Sequence, residues 1–244
     1  VEHGIRGQEA LNDAVLVAQL CEKLQLPFFC CHVDVPKEAE HFNLTLEEAA
    51  RKLRYEALEK IAEKISAVGI LTAHHKDDQA ETVLMKLMRG AGLEGLAAMD
   101  TEHDNIIRPW LQVSRRELEE YCQFNELQYC TDSTNSDTSY TRNRVRLELL
   151  PYLKRDFNPN VVETLGRTAD LLREDAECLA LLAEQYYLEA VVPSDKNKIV
   201  FKMAKLIKLP VALRKRILRQ GYFNLGGKEL SFERTEAMEL LCRR

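Results

Sequence analysis

The 244-residue sequence lacks any apolar run of about 18 residues, the length that crosses a bilayer as a helix, so we expect no membrane partner. It also lacks a Cys-x-x-Cys pair, and its seven cysteines are irregularly spaced and odd in number. These absences argue against a disulfide framework. They fit the reducing cytoplasm, which is where we expect the protein to act.

Acidic residues are missing from the segment 202–219, which carries seven basic ones, although the whole chain has a net charge of −5. A second basic cluster consists of Arg142, Arg144 and Arg146. A local basic face on an acidic protein can bind phosphate selectively. For either cluster alone, a solvated helix face whose partner charges lie elsewhere in the fold is the commoner explanation.

The most informative segment lies between an apolar run, 68–73, which predicts a buried strand, and a stretch at helical spacing, 77–89. Ligands bind at the carboxyl ends of parallel strands, where such strand-to-helix junctions lie. Two histidines and three carboxylates are concentrated here: His74, His75, Asp77, Asp78 and Glu81.

The acids of this junction have a spacing suited to cation binding. Asp78 and Glu81 are three residues apart, and Asp77 and Glu81 are four apart, so each pair can lie over one helical turn. Asp78 and Glu81 are therefore candidate ligands of Mg²⁺, which usually shares carboxylates with a substrate phosphate. The alternative is that acids in a first turn only cap the helix and offset its dipole. The two neighbouring histidines favour the functional interpretation.

Strand and helix patterns alternate up to Pro151, which predicts an α/β fold with a doubly wound parallel sheet. Short strands are predicted at 28–34, 68–73, 106–111 and 128–131. Two capping boxes, Thr45 with Glu48 and Ser114 with Glu117, predict the starts of two helices. Helical patterns alone follow: a long amphipathic helix from Val161, then helices near 204–220 and 232–241. We therefore predict two domains, 1–152 and a smaller helical one at 159–244, with the boundary near Asn158 and Pro159.

Several short blocks of residues are each weak evidence for a family. Together, in their order along the chain, they are highly specific. They are 3–7, 47–55, 73–93, 108–109, 132–135, 142–146 and 150–151. In this series the sequence resembles the tRNA(Ile)-lysidine synthetase family of the N-type ATP pyrophosphatase (PP-loop) superfamily, over nearly its whole length. The resemblance implies a PP-loop fold of the adenine nucleotide alpha hydrolase type, followed by a helical tRNA-binding domain.

The resemblance also implies a reaction, a carbon–nitrogen ligation. The family uses ATP and Mg²⁺ to adenylate the wobble cytidine of an isoleucine tRNA, and free L-lysine then displaces AMP. By this resemblance the catalytic group is His74, Asp77, Asp78, Glu81 and Arg89. ATP contacts are expected from His3, Arg6, Arg89 and Arg142. Contacts to tRNA are expected from Arg142, Arg144, Arg146, Arg214, Lys215 and Arg216. The oligomeric state is left open, with a homodimer as one alternative.

The sequence departs from the family pattern in one respect. The family's ATP signature, Ser-Gly-Gly-x-Asp-Ser, lies N-terminal to the block that corresponds to residues 3–7. The chain begins at Val1, and the loop Gly90-Ala91-Gly92 follows a helix, which is the wrong context for a phosphate cradle. We therefore expect the first strand and the phosphate loop to be missing. The chain as given is then a fragment of a longer protein and is expected to bind ATP weakly, and its activity alone is left open.

Two other functions remain open at this point. One is a different PP-loop enzyme that modifies tRNA, such as a thiolase, which would require paired cysteines for a cluster or persulfide. The other is an inactive, truncated tRNA-binding module that keeps the helical domain and its basic face.

Overall fold

The computed structural model describes residues 1–4, 7–130, 133–192, 197–227 and 230–242. It divides into two compact units, one of Val1–Thr82 with Met99–Glu163 and the other of Val83–Ala98 with Thr164–Arg244. The sequence-based domains, 1–152 and 159–244, stay a prediction. Arg6 and Asp132 lie outside the described residues.

The first unit contains most of the elements that the sequence places before the long helix. In chain order they are α1 (Gln8–Lys23), α2 (Val35–Phe42), α3 (Leu46–Ile65), β1 (Ile70–Leu71), the start of α4 (Lys76–Met88), β2 (Glu102–His103), β3 (Ile106–Ile107), α6 (Arg115–Phe124), a 3-10 turn (Ser133–Ser136), α7 (Thr141–Arg144), a π-helical turn (Val145–Leu149) and α8 (Leu150–Asp156).

The sheet of this unit has three short strands in the order β1-β3-β2. β1 and β3 are parallel, with Ile70 opposite Ile106, whereas β2 is antiparallel to β3, which the sequence did not predict. The predicted strand 28–34 is represented by one isolated parallel bridge, between Glu2 and His32. A doubly wound parallel sheet is therefore not confirmed by the described strands.

Strand β3 is shorter than predicted for a backbone reason. The Arg108 N–H donates to the carbonyl of Thr101 at 2.7 Å, and the next residue, Pro109, has no N–H to continue a ladder. Beyond β1, the Thr72 N–H still donates to the carbonyl of Ile107 at 2.9 Å. The chain after β1 is thus held beside β3 up to the point where the predicted site begins.

Two helix starts form the capping boxes that the sequence predicts. In α3 the Glu48 N–H donates to Thr45 Oγ1 at 3.2 Å, while the Thr45 N–H donates to Glu48 Oε2 at 3.0 Å. Ser114 and Glu117 make the same pair of bonds at the start of α6. Each box satisfies two backbone donors that a helix start leaves unpaired, and so fixes where the helix begins.

Among its described residues, the second unit is helical apart from one short pair of antiparallel strands. It contains the C-terminal half of α4, then α5 (Leu93–Leu96), most of α9 (Val161–Ala190), β4 (Val191–Val192), β5 (Val200–Phe201), α10 (Met203–Leu206), α11 (Val211–Asn224) and α12 (Phe232–Leu241). Its core is formed by Ala183, Tyr187, Ala190, Leu206, Leu213 and Ile217. In the described ranges, no helix combines the length and the apolarity needed to cross a membrane.

The single helix that the sequence predicts near 204–220 is divided into α10 and α11. Pro210 occupies the N-cap of α11, and a proline disfavours helical geometry at the residue before it. The break exposes the carbonyls of Ile207 and Leu209, and the Arg214 side chain donates to both, at 3.3 and 2.7 Å.

Arg214 is buried, and its Nε also donates to Glu239 of α12 at 3.0 Å. We predict that Glu239→Ala lowers the free energy of unfolding by about 3–5 kcal/mol, because it leaves a buried guanidinium without its carboxylate. The control is Glu236→Ala, which removes the half-exposed partner of Lys215 and should cost less than about 1 kcal/mol. Urea unfolding measures both, and equal losses would contradict a structural role for Arg214.

Candidate functional site

A cleft of about 780 Å³ opens on the first unit. Three parts of the chain supply most of its polar wall: α3, the segment from β1 into α4, and the segment from the 3-10 turn to the π-helical turn. The lining side chains include His3, Arg51, Arg54, Tyr55, Thr72, His74, Asp78, Asn135, Arg142 and Arg146. The cleft thus brings together His74 and Asp78 with two of the three arginines of the second basic cluster.

Two carboxylates and two guanidinium groups interlock at the wall of this cleft, in what we call the acid–arginine cluster: Asp78, Glu81, Arg142 and Arg146. Arg142 donates from Nε to Glu81 Oε2 at 2.7 Å and from Nη2 to Asp78 Oδ1 at 2.9 Å. Its guanidinium therefore bridges the two acids of α4.

Arg146 binds the same two acids from the next turn. Its Nε donates to Glu81 Oε1 at 2.6 Å, and its Nη2 donates to Glu81 Oε2 at 3.0 Å and to Asp78 Oδ1 at 3.2 Å. The remaining nitrogen, Nη1, lies 3.4 Å from the side-chain oxygen of Asn135. All three nitrogens of Arg146 thus have acceptors within the protein.

Simple spacing rules explain how the sequence forms this cluster. Asp78 and Glu81 are three residues apart on α4, and Arg142 and Arg146 are four apart at the α7 and π-helical turns, so each pair lies on one face. The sequence predicts that Asp78 and Glu81 bind metal and that the arginines bind phosphate. The complementary spacing of the two pairs was the signal that they could instead bind each other.

The four carboxylate oxygens of Asp78 and Glu81 already accept hydrogen bonds. Three accept from arginine, and Asp78 Oδ2 accepts from the His75 N–H at 3.0 Å. Glu81 is only 1% exposed. Among the described residues, no group of three or more His, Cys, Asp or Glu side chains is arranged to hold a metal. This donor set does not fit a resident Mg²⁺, and the assignment of both residues as metal ligands stays an untested prediction.

The Asp77 carboxylate contacts different residues from the Asp78 carboxylate. Its Oδ2 accepts from the Arg115 N–H at 2.9 Å, and its Oδ1 lies 3.9 Å from the ammonium of Lys154. A separate cavity of about 70 Å³ adjoins it, lined also by Glu81 and Arg146. Arg146 therefore lines both cavities, whereas Glu81 lines only the smaller one.

His74 lies at the cleft wall, half-buried, with its Nδ1 2.9 Å from the Thr72 hydroxyl. The pKa of His74 is lowered to about 4, mainly by burial; Asp78 opposes this shift, and the nearby Arg108, Arg142 and Arg51 add to it. The imidazole is therefore neutral at pH 7, which suits a hydrogen-bonding role without added charge.

Arginines of α3 are the site residues to which the sequence assigned no role. Arg51 lies 5.2 Å from the ring centre of Tyr55, and Arg54 Nη2 lies 3.2 Å from His3 Nε2. Burial lowers the pKa of Arg54, and Arg51 and Arg142 add to that effect. Block 47–55 contributes only to the family resemblance at the level of sequence. The spacing of Arg51, Arg54 and Tyr55 nevertheless predicts that they share one helical face.

Asn143 fixes the loop that carries Asn135. Its side-chain amide donates to the carbonyls of Thr134 and Asp137, at 2.8 Å each. In sequence, Asn143 lies between Arg142, which is partly buried in the cluster, and Arg144, which is exposed. The Nε of Arg144 lies 3.9 Å from Glu148 Oε2. Arg144 is thus the most accessible arginine of the second basic cluster.

The remaining predicted site residues do not line this cleft or lie outside the described residues. Arg89 is exposed, one residue after the end of α4, and belongs to the second unit. Arg6 is outside the described residues. Lys215 pairs with Glu236, and Arg216 lies 3.2 Å from Glu94, so these two and the buried Arg214 all have acidic partners in the second unit. Their contact with tRNA stays a prediction.

Comparison with known families agrees with this architecture. The model of the PP-loop domain family matches residues 1–153, which include the whole cleft and the acid–arginine cluster. The chain belongs to the PP-loop domain family.

Curated relatives point to one enzyme within that class. The tRNA(Ile)-lysidine synthase of Clostridioides difficile is 42% identical over 228 residues, which are 93% of this chain and 49% of that protein. The tRNA(Ile)-lysidine synthase of Clostridium tetani is 35% identical over 242 residues, 99% of this chain and 51% of that protein. The resemblance found in the sequence is confirmed. The chain spans about half the length of the curated relatives it matches.

A solved structure supports the fold alone. The U34-tRNA thiolase of Methanococcus maripaludis, a protein with a [4Fe-4S] cluster, superposes with a TM-score of 0.56 at 17% identity. The match covers 70% of this chain and 60% of the thiolase. The PP-loop fold is therefore shared even though few residues are identical.

We predict that His74 titrates near pH 4 and contributes to acid sensitivity. Because its pKa is about 4 in the fold and about 6.5 when unfolded, the unfolded chain binds more protons between these values. The stability due to the neutral imidazole is therefore present above pH 6.5 and is lost as the pH falls toward 4. NMR titration of the ring protons, with His74→Gln as the assignment control, tests this. A pKa near 6.5 would contradict it.

Proposed function

We propose that this chain is the PP-loop portion, with adjoining helices, of an enzyme that ligates lysine to the wobble cytidine of isoleucine tRNA. The observation that carries the proposal is the 42% identity over 93% of the chain to a protein named tRNA(Ile)-lysidine synthase. The cleft supports it, because cationic side chains from separate elements converge there with a neutral histidine.

The proposed reaction has two steps. The C2 oxygen of cytidine attacks the α-phosphorus of ATP and releases pyrophosphate, which leaves the base activated as an adenylate. The ε-amine of lysine then bonds to C2, loses a proton, and displaces AMP. Negative charge increases on phosphate oxygens in the first step, so the guanidinium groups at the cleft wall are suited to stabilise it.

The residues of the cleft suggest how the work is divided. His74, as a neutral imidazole, can hydrogen-bond a substrate without repelling the ammonium of lysine. The proposed catalytic group remains His74, Asp77, Asp78, Glu81 and Arg89, and the proposed ATP contacts remain His3, Arg6, Arg89 and Arg142. Arg51 and Arg54 join these contacts because they line the same cleft.

The use of ATP follows from membership of the PP-loop family, whereas Mg²⁺ is part of the proposal. Mg²⁺ usually keeps several waters and is bound through substrate phosphates and one or two carboxylates. Because the oxygens of Asp78 and Glu81 already accept hydrogen bonds, we propose that the phosphates of ATP supply most of its ligands.

The proposal extends to the fold and the tRNA contacts. We propose that the PP-loop domain, 1–152, has a doubly wound parallel sheet, to which the parallel β1–β3 pair belongs.

The helical domain, 159–244, is proposed to bind tRNA. Arg144 is the best supported phosphate contact because its side chain is exposed. Contacts from Arg214, Lys215 and Arg216 would require release of their acidic partners. The proposed location is the cytoplasm, and a homodimer remains one alternative.

Two alternatives are less well supported. A thiolase is suggested by the fold of the M. maripaludis enzyme, but such an enzyme requires grouped cysteines. The seven cysteines here are free, and none of the described residues form a metal-binding group. An inactive tRNA-binding module would need no cleft with converging polar groups.

The test is lysidine formation by the whole gene product, with any sequence that flanks Val1 and Arg244. ATP, lysine and an isoleucine tRNA transcript are supplied, and the modified nucleoside is detected by mass spectrometry. We predict that Asp78→Ala abolishes the product with little loss of tRNA binding, because Asp78 helps to form the reacting cleft. Glu59→Ala, at an exposed position of α3, is the control. Absence of lysidine with the unaltered protein would overturn the proposal.

A further inference from the structure

The two arginines of the acid–arginine cluster are not equivalent. Arg146 uses all three nitrogens on acceptors in the protein, namely Glu81, Asp78 and Asn135. Arg142 uses Nε and Nη2 on the same two acids, and its Nη1 has no acceptor among the described residues. Since Arg142 also lines the cleft, one edge of its guanidinium is held by protein while the other is available to a ligand.

Glu81 makes this arrangement possible. It accepts two hydrogen bonds from Arg146 and one from Arg142, and at 1% exposure it cannot itself reach a ligand in the cleft. We propose that Glu81 is a positioning residue, which with Asp78 presents the open edge of Arg142 to the nucleotide phosphates, and that it is not a metal ligand. The proposal rests on the proposed function, because it assigns Glu81 a role in the same site.

Charge balance supports this role. Two carboxylates and two guanidinium groups make a neutral set, so neither acid has an excess negative charge with which to attract a cation. Charge-assisted bonds to both acids fix the plane of each guanidinium as well as its position. A phosphate contact made through Nη1 then has a defined direction, which matters because small misplacements in a reacting site are costly.

The first test compares Glu81→Gln with unaltered protein, using the whole gene product. Glutamine keeps the size of the side chain but can accept through one oxygen only, so Arg142 loses its fixed orientation. We expect kcat/KM for ATP in lysidine formation to fall about 100-fold, the usual cost of a misplaced group. Saturating Mg²⁺ should not restore it. Recovery at high Mg²⁺ would overturn the proposal, because weakened metal binding is compensated by more metal.

The second test separates positioning from metal binding without requiring activity. Mn²⁺ binding to nucleotide-free protein, followed by electron paramagnetic resonance, should be the same for Glu81→Gln and unaltered protein. ATP affinity, measured by calorimetry, should fall in Glu81→Gln and in Arg142→Met, and the double variant should bind no worse than Arg142→Met alone. Loss of Mn²⁺ binding, or additive losses of ATP affinity, would contradict the proposal.

Matched variants keep the outcome interpretable. Glu148→Gln removes the acid of the exposed Arg144–Glu148 pair and should leave ATP affinity unchanged. If Glu81→Gln does not fold, Glu81→Asp retains the charge but withdraws the carboxylate, and the same pattern of ATP and Mn²⁺ binding is expected. Because ATP affinity is measured without tRNA or lysine, failure of the lysidine assay and failure of this inference are distinguishable.

Discussion

A buried carboxylate between two guanidinium groups organises the candidate site. Glu81 is almost fully buried, and removing a charge of this kind from water is costly unless it is paired and hydrogen-bonded. Arg142 and Arg146 meet that requirement from a segment about sixty residues further along the chain. The pairing therefore joins α4 to the α7 and π-helical turns, and the cleft wall depends on it.

The cluster also sets the electrostatics of the cleft. Its two arginines are balanced by Asp78 and Glu81, whereas Arg51 and Arg54 of α3 have no carboxylate partner among the described residues. Glu47 of α3 also lines the cleft, so its α3 side has a net positive charge of one unit, whereas the cluster is neutral. Burial, with a smaller contribution from Arg108, Arg142 and Arg51, lowers the pKa of His74 to about 4. A polyphosphate suits such a cleft better than a free cation does.

Local patterns in the sequence predicted much of the fold. The capping boxes at Thr45 and Ser114 and the long helix from Val161 are confirmed, because each depends on neighbours a few residues apart. The strands were predicted too long, since the length of β1 and β3 depends on their pairing with each other across the fold. Likewise the sequence placed Asp78 and Glu81 on one helical turn but did not pair them with Arg142 and Arg146. The matching spacing shows only that the two pairs could bind each other, not that the fold brings them together.

The most direct measurement of the central claim is nitrogen-15 NMR of the arginine side chains in the whole gene product. Arg142→Lys and Arg146→Lys assign the two Nε–H signals. If Glu81 holds both guanidinium groups, these signals exchange slowly with water, disappear in Glu81→Gln, and do not shift when Mg²⁺ is added without nucleotide. Signals that exchange freely, or that Mg²⁺ alone displaces, would show that Glu81 is available to metal and would contradict the account.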